Sequence, residues 1–112
     1  MIKMYGIPNC DTVKKARKFL DENQVEFEFV DFKKVAPTEK EIKTWKKTFG
    51  DWPVNKRGTT FRKLKEEFES ANDKEIVKLI SENSSVIKRP ILEENGKAIC
   101  FGFDKEVFEN LL

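Results

Sequence analysis

Within its first thirty-two residues the chain reads strand, helix, strand, and that succession restricts the fold more than anything that follows. Ile2-Lys3-Met4-Tyr5 is a short apolar strand. Asp11 to Asn23 carries Val13, Ala16, Phe19 and Leu20 at spacings of three and four, the pattern of a helix with one buried face. Val25 to Phe32 is a second strand, with Val25, Phe27 and Phe29 alternating with Glu26 and Glu28. Two strands joined through a helix run parallel, and the crossover is right-handed almost without exception. The 112 residues suit one domain, residues 1–112, large enough for a core.

After Ala36-Pro37 the pattern becomes helical. Thr38 and Glu41 make a capping box that starts a helix through Phe49, with Ile42, Trp45 and Phe49 facing inward and Gly50 ending it. Phe61, Leu64 and Phe68 mark a further helix from about Thr59 to Ser70. Asn72 or Asp73 caps another, bearing Ile76, Val77, Leu79 and Ile80. Residues 37–84 are therefore expected to be a helical insert. Beyond it, Ile91-Leu92-Glu93 and Lys97 to Phe101 flank Glu94-Asn95-Gly96, and Asn-Gly is a strong hairpin signal. A last helix from Asp104 turns Val107, Phe108, Leu111 and Leu112 inward. The sum is α/β: β-α-β, helical insert, β-β-α, with a four-stranded mixed sheet.

Several chemistries are excluded by residue counts. The chain has no histidine, which removes Cys–His dyads and histidine metal sites. Its two cysteines, Cys10 and Cys100, are too few and too far apart for a disulfide scaffold, so no metal site is expected and a reducing cytoplasm is. No apolar run reaches the length of a membrane span and no secretory leader is evident. The net charge is only +2. Lys56, Arg57, Arg62, Lys63 and Lys65 form one locally basic stretch. It lacks interleaved aromatic platforms, and Glu66, Glu67 and Glu69 follow it, so nucleic acid is not an expected partner.

Cys10 stands where the first strand passes through Gly6-Ile7-Pro8-Asn9 into the helix. Free backbone N–H groups and the positive end of the helix dipole favour an anion at such a place. A thiol there ionises at about 3.5–7.5 in reactive cases, against ~8.5 for a free cysteine. Polar Asn9, Asp11 and Thr12 surround it, and Asp11 and Thr12 are expected to belong to a substrate or anion site there; either can cap the helix, although the Asp11 carboxylate opposes a thiolate. Position alone also fits a buried structural cysteine. Arginine's fork of donors suits an oxyanion, but Arg62 and Arg89 also fit the part of solvated surface cations.

Three motifs carry a resemblance over essentially the whole chain. They are Tyr5-Gly6-Ile7-Pro8-Asn9-Cys10-Asp11-Thr12, Asn55-Lys56-Arg57-Gly58-Thr59-Thr60-Phe61-Arg62-Lys63-Leu64, and Ile87-Lys88-Arg89-Pro90-Ile91. With this order of elements the chain resembles the ArsC (arsenate reductase) and Spx family, a thioredoxin-like fold carrying a helical insertion. It looks nearest to an ArsC-like subgroup proposed to be glutathione-dependent thiol reductases. The resemblance implies Cys10 as nucleophile, Arg62 and Arg89 as oxyanion-holding arginines, and Pro90 as a cis-proline facing the cysteine. It further implies glutathione or a glutaredoxin as reductant, with no bound cofactor. Where the reductases carry a third arginine this chain has Phe101-Gly102-Phe103, which leaves the substrate an arsenate-like oxyanion or a disulfide. Where Spx-type proteins carry the second cysteine of Cys-x-x-Cys it has Val13. The alternative the resemblance offers is an Spx-like regulator that binds RNA polymerase without turnover. Cys100, on the fourth strand, is expected two strand spacings from the first, roughly 9–10 Å. That is beyond the ~7 Å a disulfide tolerates, so Cys10 needs an external thiol.

Overall fold

β1 (Ile2–Gly6), α1 (Asp11–Glu22) and β2 (Phe27–Asp31) form the parallel unit, with Ile2 opposite Phe27 and Tyr5 opposite Val30. These features are those of a computed structural model that describes all 112 residues, Met1–Leu112. β2 starts two residues later than the alternation predicts, because Val25 is used to close α1. Gln24 takes a left-handed conformation (φ 57°), its N–H bonds to the Asp21 carbonyl, and the Val25 N–H bonds to that of Leu20. Those paired bonds satisfy carbonyls that the helix end leaves bare, and Val25 packs on the same core as Leu20.

β3 (Ile91–Glu94) and β4 (Lys97–Phe101) are joined by Asn95 and Gly96, both at positive φ (53° and 81°), the two-residue turn that Asn-Gly favours. β3 lies antiparallel to β1, giving the mixed sheet order β2-β1-β3-β4. Ile2, Met4, Leu92 and Cys100 project from this sheet into one core with Val13, Ala16 and Leu20 of α1 and Phe108 of α5 (Lys105–Glu109). Phe19, Phe103 and Phe108 close it, with ring centroids 4.8–6.0 Å apart. Leu112 is not part of that face: it is 65% exposed, past the end of a helix of only five residues. On the opposite face the Tyr5 hydroxyl donates to buried Glu93 (3.2 Å).

The chain divides into two compact units, Met1–Val35 with Arg89–Leu112, and Ala36–Lys88. The second holds α2 (Glu39–Phe49), α3 (Thr59–Ser70) and α4 (Asp73–Glu82), followed by a 3-10 turn at Ser84–Val86. Thr38 and Asn72 each close a reciprocal capping box, with Glu41 and Glu75, and Gly50 ends α2 at φ 89°. Ile42 and Trp45 of α2 are fully buried, whereas Phe49, expected inward, is 38% exposed. It sits in the last turn, where the helix gives way to the Gly50 turn. Antiparallel pairing of Val54 with Ile87 ties the two ends of α3–α4 together, through Asn55 N–H to the Val86 carbonyl (2.7 Å) and Lys88 N–H to that of Pro53 (2.9 Å).

Candidate active site

Gly6 ends β1 directly beneath the first turn of α1. A β-carbon on Gly6 would come within 2.9 Å of Val13 Cγ2 and 3.3 Å of Cγ1. Side chains do not interpenetrate at that distance, so only glycine lets the strand end meet the helix start this closely. Ile7 and Pro8 then turn the chain, and the Cys10 N–H donates to the Ile7 carbonyl (3.2 Å).

Cys10 is itself the N-cap of α1. Its backbone is extended (φ −96°, ψ 128°), and its carbonyl accepts the first helical bond, from Lys14 N–H (2.9 Å). The expectation that Asp11 or Thr12 caps the helix is therefore corrected: both lie inside the first turn, with exposed side chains. The reason is positional. An N-cap must precede the first helical φ/ψ pair, and helical geometry begins at Asp11.

The thiol is half-buried. Burial is the largest single influence on its ionisation and opposes it. The Val13 amide, the charge of Arg89, the Thr12 amide and a hydrogen bond from the Arg89 guanidinium together outweigh burial, and the pKa falls below that of an ordinary cysteine. The thiol makes no capping hydrogen bond of ordinary geometry. The two amides act mainly as dipoles aimed at the sulfur, in the manner of a helix N-terminus holding an anion. The Asp11 carboxylate is not among the groups that move the thiol.

Arg89 is half-buried and its bond to Pro90 is cis. The Pro90 carbonyl accepts from Gly102 N–H (2.7 Å), fastening the start of β3 to the end of β4. Cys10, Asp11, Thr12, Arg89 and Pro90 all belong to the first unit, and within it Arg89 and Cys10 meet. Arg62 belongs to the second, exposed in the first turn of α3, where its N–H donates to the Gly58 carbonyl (3.1 Å). Cys100 is a buried thiol in no disulfide, opposite Leu92 on β4, its Sγ donating to the Gly102 carbonyl (3.0 Å). With β3 between β1 and β4, it is a core residue.

Two contributors escape a reading of side-chain types. One is the Val13 amide; in sequence Val13 is notable only for standing where a second cysteine could. The other is Gly6, whose close approach to Val13 the Tyr5-Gly6-Ile7-Pro8 turn could have signalled.

Known proteins share this framework. One relative, an uncharacterised protein of Haemophilus influenzae, is 39% identical over 112 residues, covering 97% of this chain and 96% of its own. The global transcriptional regulator Spx of Streptococcus agalactiae is 28% identical, over 95% of this chain and 79% of that protein. A solved structure described as a possible arsenate reductase from Streptococcus mutans superposes with a TM-score of 0.80. It has 28% identity and covers 99% of this chain and 97% of that one. The α/β architecture is thus the thioredoxin-like one of these proteins, and, with the ArsC family model matching residues 5–111, the chain belongs to the ArsC family.

Proposed function

We propose that this protein is a thiol reductase in which the Cys10 thiolate attacks an arsenate-like oxyanion centre or the glutathionyl sulfur of a mixed disulfide. The observation that carries the reading is the meeting of Cys10 with Arg89 at a helix N-terminus that lowers the thiol's pKa. With a mixed disulfide, a bond forms between Cys10 and the glutathionyl sulfur, and the partner thiolate leaves and takes up a proton. A second glutathione, or a glutaredoxin, then attacks that sulfur, restoring the Cys10 thiolate and leaving oxidised glutathione or its glutaredoxin equivalent. Arg89 and the Thr12 and Val13 amides hold negative charge at the attacking sulfur. The family resemblance assigns Arg62 an anion-holding part, and Cys100 takes none.

The test is mass spectrometry of wild type, Cys10→Ser and Cys100→Ser after oxidised glutathione, then turnover assays with arsenate and glutathione. A glutathione adduct confined to Cys10, with turnover lost in Cys10→Ser and kept in Cys100→Ser, is expected. Loss in both variants would refute a one-cysteine cycle. Turnover that requires arsenate would assign the oxyanion branch.

The likeness to Spx favours a second reading, a regulator that binds RNA polymerase without turnover. Stable capture of RNA polymerase, with no thiol exchange at Cys10, would establish that reading over the first.

A further inference from the structure

A cleft of about 610 Å³ opens wholly within the Ala36–Lys88 unit, a size within the range of small-ligand sites. Two aromatic rings line it, the exposed Phe49 and the half-buried Trp52, together with Lys56, Arg57, Lys88 and one carboxylate, Asp51. In sequence the rings and the cations are separate. They converge because the Val54–Ile87 pairing sets Lys88 beside the 51–57 turn.

The cleft's own acid is already engaged. Asp51 accepts from the Trp52 N–H (2.8 Å) and from Lys56 Nζ (3.3 Å). No carboxylate lies within ion-pair distance of the Arg57 or Lys88 side chain. The Arg57 backbone is held by its N–H bond to Asn55 Oδ1 (3.2 Å), which fixes where the guanidinium starts. Lys88 Nζ stands 5.5 Å from the Phe49 centroid, near the outer limit of a cation–π contact, and can swing to an anion. Lys46 Nζ covers one face of Trp52 at 4.2 Å, and an indole has two.

A bare anion would use the cations and add nothing to the lysine contacts that the two rings already make. An apolar ligand would use the rings and strand the charges. We propose that this cleft binds a nucleoside polyphosphate, its base stacked on Trp52 and Phe49 and its phosphates held by Arg57, Lys56 and Lys88. The site is independent of Cys10 chemistry and goes beyond it. A free nucleotide fits better than a strand of nucleic acid, because acidic Glu66, Glu67 and Glu69 follow the basic stretch in the next helix.

The test is calorimetric titration of the full-length protein with ADP, pyrophosphate and adenosine, read alongside quenching of Trp52 fluorescence. ADP should bind about tenfold or more tightly than either fragment, the gain expected of one stacked base. Trp52→Leu should reduce ADP to the affinity of pyrophosphate. Arg57→Gln, at an exposed position that does not threaten folding, should weaken ADP and pyrophosphate by the same factor and leave adenosine unchanged. Equal affinity for ADP and pyrophosphate in the wild type would overturn the proposal in favour of a simple anion site. Unchanged ADP binding in Arg57→Gln/Lys88→Gln would overturn it outright. So would a single-stranded oligonucleotide that binds and resists displacement by ADP.

Discussion

Replacing Gly6 with alanine should destabilise the protein and weaken its thiolate together. The added methyl would stand 2.9 Å from Val13 Cγ2, and Val13 is fully buried, so it has no free space to turn into. Overpacking of this kind costs about 1–3 kcal/mol. Gly6 does not use the left-handed region, so alanine meets no backbone strain there. Removing glycine's freedom in the unfolded chain returns about 0.4–1 kcal/mol. The net expectation is a loss of about 1–2 kcal/mol, read as a lower urea midpoint at unchanged slope. Val13→Ala alone should also destabilise, by about 2 kcal/mol, through the cavity it leaves. In the double variant the alanine methyl at position 6 occupies part of that cavity, so the two losses should fall short of additive by about 1 kcal/mol. Because the Val13 amide is aimed at Cys10, iodoacetamide alkylation of Gly6→Ala should also show its pH midpoint displaced upward, and the double variant should restore it. Additivity within ~0.5 kcal/mol would refute the contact, and an unmoved alkylation midpoint would refute its link to the thiol.

Arg89→Gln should raise the pH midpoint of Cys10 alkylation, since both the charge and the hydrogen bond of Arg89 favour the thiolate; an unchanged midpoint would remove Arg89 from the site. The native Cys10 pKa is lowered, so between it and the unfolded value of ~8.5 the unfolded thiol holds a proton that the native one has released. Stability relative to Cys10→Ser should therefore rise with pH through that window. It should be fully present above ~8.5 and be lost as pH falls through the native value, with denaturation midpoints at several pH values as the check. Asn72→Ala removes the acceptor of the Glu75 N–H (2.9 Å) and one half of the α4 capping box, and should cost about 1 kcal/mol in urea denaturation. Alanine at Gly96 should also destabilise, because φ +81° is a conformation that L side chains rarely adopt; a neutral result would exclude that hairpin turn.

Local patterns were sufficient for the elements themselves. The spacing of Val13, Ala16 and Leu20 specifies a buried helix face, Thr38 with Glu41 a helix start, and Asn95-Gly96 a hairpin turn, because each signal lies within a few residues of what it controls. Element ends were less legible. Phe49 continues a helical stripe in sequence, yet it lies where α2 runs out into Gly50 and is exposed. Val25 belongs by alternation to a strand, yet its N–H is taken by the Leu20 carbonyl. Hydrophobic periodicity does not record where a backbone hydrogen bond is spent.

By itself, then, the sequence determined the strand–helix–strand opening, the helical insert, the closing hairpin, and a thiol at the start of α1 with no histidine to assist it. Tertiary structure decided how that thiol is held. Arg89 is seventy-nine positions from Cys10 in the chain and reaches it only because β3 pairs with β1. The amides of Thr12 and Val13, in contrast, face the sulfur through the local geometry of a helix N-cap, and Gly6 lets β1 close against that turn. The same distinction separates Cys10 from Cys100, alike as residue types. One caps a helix at a half-open surface, and the other is packed opposite Leu92 with β3 between it and β1. A charge acts on a thiol over a few ångströms, and for Arg89 that distance is set by chain pairing, which no local stretch of sequence contains.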